Sequence, residues 1–176
     1  MEISTKKILM ISRVFLIPGA YEQYPLFKKY SKDNSFSIIV PKKLGNVPYM
    51  EDYQEEADAG VYTSKLVFLK KNSPLAFFTH LLKLLIKIKP DIIYSEEEPW
   101  YLTSFQICLL SKIFLPKTKI IIFTWENICR KNKFPLNLFE KFSYYAASKF
   151  IAGNEGAKGV LIKKGYNKEY EKNLKK

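Results

Sequence analysis

Three consecutive carboxylates, Glu96, Glu97 and Glu98, stand at the exit of the apolar run Ile92-Ile93-Tyr94, after Ser95. Like charges packed this closely raise one another's pKa, which makes one of them a candidate general base for a sugar hydroxyl. The same cluster could instead hydrogen-bond a polyhydroxylated ligand, or simply solvate a surface turn. Trp100 follows two residues later, and Trp125 opens a second polar stretch, Trp125-Glu126-Asn127, just past another apolar run. Flat indole faces suit the apolar faces of sugars, and an inward-facing Trp packed on a helix is the rival reading. Glu126 and Asn127 add a carboxylate and an amide at that second position.

Other chemistries find less support. Gly19 stands alone, late in the loop after the first apolar run. It lets backbone amides approach an anion, or merely makes a tight turn before a helix. Neither the closely spaced glycines of a dinucleotide fingerprint nor a P-loop is present, so NAD, FAD and ATP are not expected. His80, the only histidine, lies in an apolar helical run, and one histidine with two separated thiols cannot assemble a metal site. Cys108 and Cys129 form no CxxC and no disulfide framework, so both are expected as buried free thiols in a reducing cytosol.

These residues need a scaffold that brings them to one place. Apolar strands are expected at 7–12, 36–40, 65–69, 92–94, 119–124 and 150–152, and helices at 21–30, 74–88, 99–114, 135–147 and 155–164. Residues 42–62 read as an irregular surface segment. Short strands alternating with helices predict an α/β fold with a doubly wound, mostly parallel sheet. Right-handed crossovers then place the loops 12–20, 95–100, 125–130 and 153–155 on one edge. Ligands bind at the carboxyl ends of strands in such sheets.

The 176 residues suit one domain, with 47% hydrophobic and 15% aromatic residues. Against 17 acidic residues stand 29 Lys and Arg, a net charge of +12. Such an excess fits an anionic membrane surface or a phosphate-bearing substrate. Without an Arg-rich arm, an aromatic RNA-binding motif or a Cys/His finger, nucleic acid is not an expected partner. No signal-peptide pattern opens the chain and no apolar run is long enough to span a bilayer. The expected location is cytoplasmic, peripheral at the inner face of the membrane if the helix at 74–88 lies on it. The favoured reading is a crossover helix packed on the sheet, because the sheet needs covering.

Three segments carry a resemblance: Pro90-Asp91-Ile92-Ile93 leading into Glu97-Glu98-Pro99-Trp100; Phe123-Thr124-Trp125-Glu126-Asn127; and Phe150-Ile151-Ala152-Gly153-Asn154-Glu155, continuing to Lys164-Gly165-Tyr166. In this order and spacing they resemble the N-terminal, acceptor-side domain of GT-B glycosyltransferases of the family 4 type. The resemblance covers residues 1–166; 167–176 read as a charged, frayed tail. It implies a Rossmann-like half of a GT-B architecture and a retaining-type transfer from a nucleotide-sugar co-substrate, without cofactor or metal. Glu97 and Glu98 take the catalytic role in this reading. Gly19, Glu96, Trp100, Trp125, Glu126, Asn127 and Asn154 hold the acceptor, a sugar or a lipid-linked one. The chain departs from the family in lacking its His before Trp125. Donor-binding carboxylates are expected from a second domain or a separate transferase subunit. The alternative is a non-catalytic module that binds a glycan or phospholigand at the same edge.

Overall fold

The computed structural model describes residues 5–13, 26, 29, 35–42, 60–68 and 74–166. Strands β1 (Lys7–Ile11), β2 (Ser35–Pro41), β3 (Val61–Ser64), β6 (Ile92–Ser95), β7 (Lys119–Thr124) and β8 (Lys149–Ala152) form one sheet, in the order β3-β2-β1-β6-β7-β8. Every pairing in it is parallel. Consecutive residues Leu9, Met10 and Ile11 of β1, and Ile38, Ile39 and Val40 of β2, are fully buried. Only a strand covered on both faces needs such an uninterrupted apolar run.

The chain moves from β1 outward to β2 and β3, then returns to lay β6 on the other side of β1 and continues to β7 and β8. The order therefore reverses between β1 and β6, and their carboxyl ends flank the crevice where such sheets take ligands.

Four helices are described: α1 (Leu81–Ile88), α2 (Leu102–Phe114), α3 (Leu136–Ala146) and α4 (Glu155–Lys163). Leu81, Leu84 and Leu85 form the buried stripe of α1, at the spacing that puts side chains on one helical face. They join Leu9, Ile39, Ile93 and Phe150 in the core, so the apolar face of α1 covers the sheet. Lys89 ends the helix in the left-handed region (φ 49°), donating its N–H to the Leu85 carbonyl at 2.8 Å. No helix among the described residues is long and apolar enough to cross a membrane.

Several elements differ from expectation. The run 74–88 is divided: Ala76–Phe78 is a short strand, β5, antiparallel to β4 (Leu66–Phe68), and the helix begins only at Leu81. His80 is consequently the N-cap residue of α1, with no side-chain cap bond, its Nδ1 2.8 Å from the Thr79 hydroxyl. The third strand of the main sheet is Val61–Ser64, not 65–69, so Val61 and Tyr62 leave the segment expected to be irregular. Buried Thr63 and Ser64 disguise that edge strand as a polar stretch. Residues 99–101 form a turn instead of the first turn of α2. The Ser104 hydroxyl (2.7 Å) and the Tyr101 N–H (3.0 Å) both donate to the Glu98 carbonyl and fix that turn. Cys108 is buried as expected, its thiol pushed up to about 12 by desolvation, but Cys129 is exposed in the loop beyond β7. Of the expected helix 21–30, Leu26 and Lys29 are helical and the rest lies outside the described residues, as do Gly19 and the tail 167–176.

Gln106 of α2 holds the small sheet in place. Its amide accepts from the Phe78 N–H at 3.0 Å and donates to the Phe78 carbonyl at 2.7 Å. Phe78 is fully buried, so no water can substitute for that amide. Gln106→Leu keeps the helix but orphans both backbone groups, and is expected to lower stability by about 1–3 kcal/mol for each group in urea unfolding. An unchanged midpoint would show that β5 re-pairs without it.

Candidate active site at the carboxyl edge of the sheet

Four strand ends converge. β1 delivers Ser12 and Arg13, β6 delivers Glu96 to Glu98, β7 delivers Trp125 to Asn127, and β8 delivers Gly153 and Asn154. The parallel registers bring Ile11 level with Ser95, Ser95 level with Ile122, and Thr124 level with Ala152.

The three carboxylates point into different surroundings. Glu96 accepts from the Ser12 hydroxyl at 3.2 Å and from the Tyr94 hydroxyl at 3.5 Å. Partial burial raises its pKa despite those bonds. Glu97 is 2% exposed and both its oxygens face Arg13, which donates its backbone N–H to Oε1 at 3.1 Å and its Nε–H to Oε2 at 2.6 Å. Burial outweighs the guanidinium here and pushes the Glu97 carboxyl up to about 7. The Arg13 guanidinium carbon in turn sits 4.3 Å from the centre of the Tyr101 ring, a cation–π contact.

Glu98 turns the other way, toward β7. Its Oε2 accepts from the Thr124 hydroxyl and its Oε1 from the Trp125 N–H at 2.9 Å. It is half-buried, and desolvation raises its pKa against these bonds and the nearby Glu126 N–H. A carboxylate has about four lone-pair positions, so two donors leave room for a ligand hydroxyl. Glu98 therefore combines a fixed orientation, an elevated pKa and partial access, whereas Glu97 is buried with both oxygens turned to Arg13.

The loop after β7 closes around Trp100. The indole N–H of Trp100 donates to Glu126 Oε2 at 3.2 Å, while Glu126 Oε1 accepts from the Ile128 N–H at 3.0 Å and lies 3.6 Å from Arg130 Nε. Trp100 packs edge-on to Tyr101 with ring centres 4.5 Å apart. Trp125 is 59% exposed and lies against Gly153, where an added Cβ would come within 2.5 Å of the indole. Gly153 is thus the residue that lets this ring lie down on the strand end.

Asn154 caps α4, its Oδ1 accepting from the Ala157 N–H at 2.8 Å. That oxygen is engaged by the backbone, which leaves the side-chain NH₂ for a ligand. Asn127 is exposed, and a Cβ on Gly156 would sit 3.0 Å from the Asn127 Cβ and 3.1 Å from Asn154 Oδ1. Gly156 therefore packs the β7 and β8 loops together. Among the described residues no three His, Cys, Asp or Glu side chains are grouped to hold a metal ion.

Of the residues expected at this edge, Glu96 to Glu98, Trp100, Trp125 and Glu126 are tied together through hydrogen bonds and strand-end packing, with Asn127 and Asn154 beside them. Gly19 is not described. Sequence reasoning gave no role to Ser12, Arg13, Tyr101 or Thr124, although all four orient a carboxylate or its partner. The available signal was the abrupt polar pair Ser12-Arg13 directly after the apolar β1.

No family model matches the sequence, and no curated protein does. The fold matches solved structures of UDP-GlcNAc 2-epimerases. That from Methanocaldococcus jannaschii is 15% identical with a TM-score of 0.57, the match covering 92% of this chain and 43% of the epimerase. The putative enzyme from Listeria monocytogenes is 14% identical with a TM-score of 0.61, covering 94% and 44%. The Rickettsia bellii enzyme is 16% identical with a TM-score of 0.56, covering 92% and 42%. The chain spans less than half the length of these proteins. At such identities the likeness establishes architecture: a six-stranded parallel, Rossmann-like sheet corresponding to one half of a GT-B-like chain.

Proposed function

We propose that this chain is the acceptor-side half of a nucleotide-sugar glycosyltransferase of the family 4 type, acting with a donor-binding half. The observation that carries the reading is Glu98, presented half-buried at the carboxyl edge with its oxygens set by Thr124 and Trp125. An acceptor hydroxyl held there attacks the anomeric carbon of the donor sugar. The new C–O bond forms, the bond to the nucleotide diphosphate breaks with its electron pair leaving on the diphosphate, and the hydroxyl proton passes to Glu98. Trp100, oriented by Glu126, supplies a flat wall for the acceptor, and Glu96 and the Asn154 amide offer it hydrogen bonds. Glu97 positions this loop through Arg13 and does not touch substrate.

A second reading follows from the matched structures being epimerases: the same carboxylates would move a proton at a sugar carbon, with no acceptor. One experiment separates the two. The tagged chain is captured from its native cells with whatever binds it, and the complex is given isotope-labelled nucleotide-sugars with cell extract as a source of acceptors. Label transferred to an acceptor supports the transferase. Label that stays on the nucleotide as an isomerised sugar supports the epimerase. Glycan binding without turnover in any mixture would leave a binding module and defeat both.

A further inference from the structure

We propose that the outward face of α3, with the loop before it, docks on an anionic lipid bilayer. Phe134 and Tyr145 are each 80% exposed, and Leu138 is 49% exposed. Leu138, exposed Lys141 and Tyr145 follow at steps of three and four residues, which places them on one stripe of α3, and Phe134 stands in the turn just before that helix. The opposite face is occupied: Phe139, Ser143 and Ala146 are buried, and Phe105 of α2 packs its ring against Phe139 and Phe142 at 4.8 and 5.2 Å. The exposed stripe is therefore surplus to the core, and large apolar side chains grouped in this way on a solvated surface mark an interaction site.

The charge around the stripe selects the partner. Arg130, Lys131, Lys133 and Lys141 are all exposed. The one carboxylate in residues 127–149, Glu140, is buried and bonded to Lys164 and to Asn132. The surface of this segment thus carries cations without an exposed acid. A second copy of the chain would bring like charges together, and a nucleic acid would gain nothing from Phe134 and Leu138. A bilayer with anionic headgroups satisfies both features, since the apolar side chains enter the headgroup boundary while the lysines reach the phosphates.

The surface is continuous with the candidate active site. Arg130 stands 3.6 Å from Glu126, and its guanidinium carbon lies 6.0 Å from the centre of the Trp100 ring. An acceptor carried on a lipid would meet Trp100 and Glu98 at the membrane surface. That consequence rests on the transferase reading; docking itself does not, and is measured without any nucleotide-sugar.

The purified chain is floated with vesicles of phosphatidylcholine alone and with vesicles that also contain phosphatidylglycerol. Binding is expected only with the anionic lipid, and to weaken as salt is added. Combined Phe134→Ser, Leu138→Ser and Tyr145→Ser, and separately combined Lys131→Gln, Lys133→Gln and Lys141→Gln, should each weaken binding by about tenfold or more. Circular dichroism checks that both variants fold, which their exposed positions favour. Equal partition of the unmodified chain to both vesicle types, or unchanged binding by either variant, overturns the proposal. So does a monomer–dimer shift abolished by Tyr145→Ser in a chain that ignores vesicles, which would make the stripe a self-association surface. Loss of transfer with vesicle binding intact would count against the enzymatic reading alone.

Discussion

Arg13→Met is expected to destabilise the fold by about 1 kcal/mol more near pH 8 than near pH 5. The difference comes from Glu97. Its carboxyl titrates at about 7 in the folded chain against an ordinary 4.5. Between those values the folded chain binds the proton more tightly than the unfolded one, so stability falls as pH rises. The contribution is complete below about 4.5 and is lost through about 7. Removing the guanidinium takes away the main influence that lowers this pKa, while Glu98 nearby acts in the opposite direction. Above about pH 7 the variant must then bury an uncompensated charge or take up a proton; below about pH 5 it holds a neutral acid at little cost. Glu97→Gln in the Arg13→Met background removes the charge and should restore most of the loss near pH 8. Equal losses at the two pH values in thermal or urea unfolding, or no recovery in the double variant, would show that Arg13 acts through packing on Tyr101 and not through Glu97.

Strands β1, β6 and β7 of the central sheet were legible because burial on both faces forces consecutive apolar residues and no turn residue interrupts them, whereas the polar edge strand β3 was not. β5 was not legible. Ala76-Phe77-Phe78 runs on toward Leu81-Leu82 with only Thr79 and His80 between, and such a run carries neither a clear period of two nor one of 3.6. What makes it a strand is its antiparallel pairing with β4, and Gln106, 28 residues further on, holds the Phe78 backbone. The candidate site divides in the same way. Glu96, Glu97 and Glu98 stand together in the sequence, so their clustering could be read directly. Their separation into distinct roles could not, because Arg13 reaches Glu97 across 84 residues and Trp125 reaches Glu98 across 27. Alternation along an extended chain turns neighbours to opposite sides, and only the sheet order reveals that one side holds a cation and the other a hydroxyl.

Glu98→Gln, in the complex with the donor-binding half, is expected to lower transfer by about 10²- to 10⁴-fold, the usual worth of a general base. The fold should survive because the site can accept an amide. The introduced side chain would keep its oxygen on the Trp125 N–H and turn its NH₂ to Thr124, whose hydroxyl is free to rotate from donor to acceptor. Thr124 already accepts from the Glu126 N–H at 3.2 Å and retains a second lone pair for the new donor. The same exchange at Glu97 has no such remedy. Both of its partners are fixed N–H donors from Arg13, so one of them would face an NH₂ group. Glu97→Gln should therefore lower stability first and transfer only secondarily, whereas Glu98→Gln should lower transfer with an almost unchanged unfolding midpoint. The pH profile discriminates further. Glu98 has a raised pKa, so transfer should fall on the acid side as it takes up a proton, and that limb should vanish in the residual activity of Glu98→Gln. A variant that transfers at the unmodified rate, or that keeps the acid limb, would place the base elsewhere and reduce Glu98 to a strut between β6 and β7.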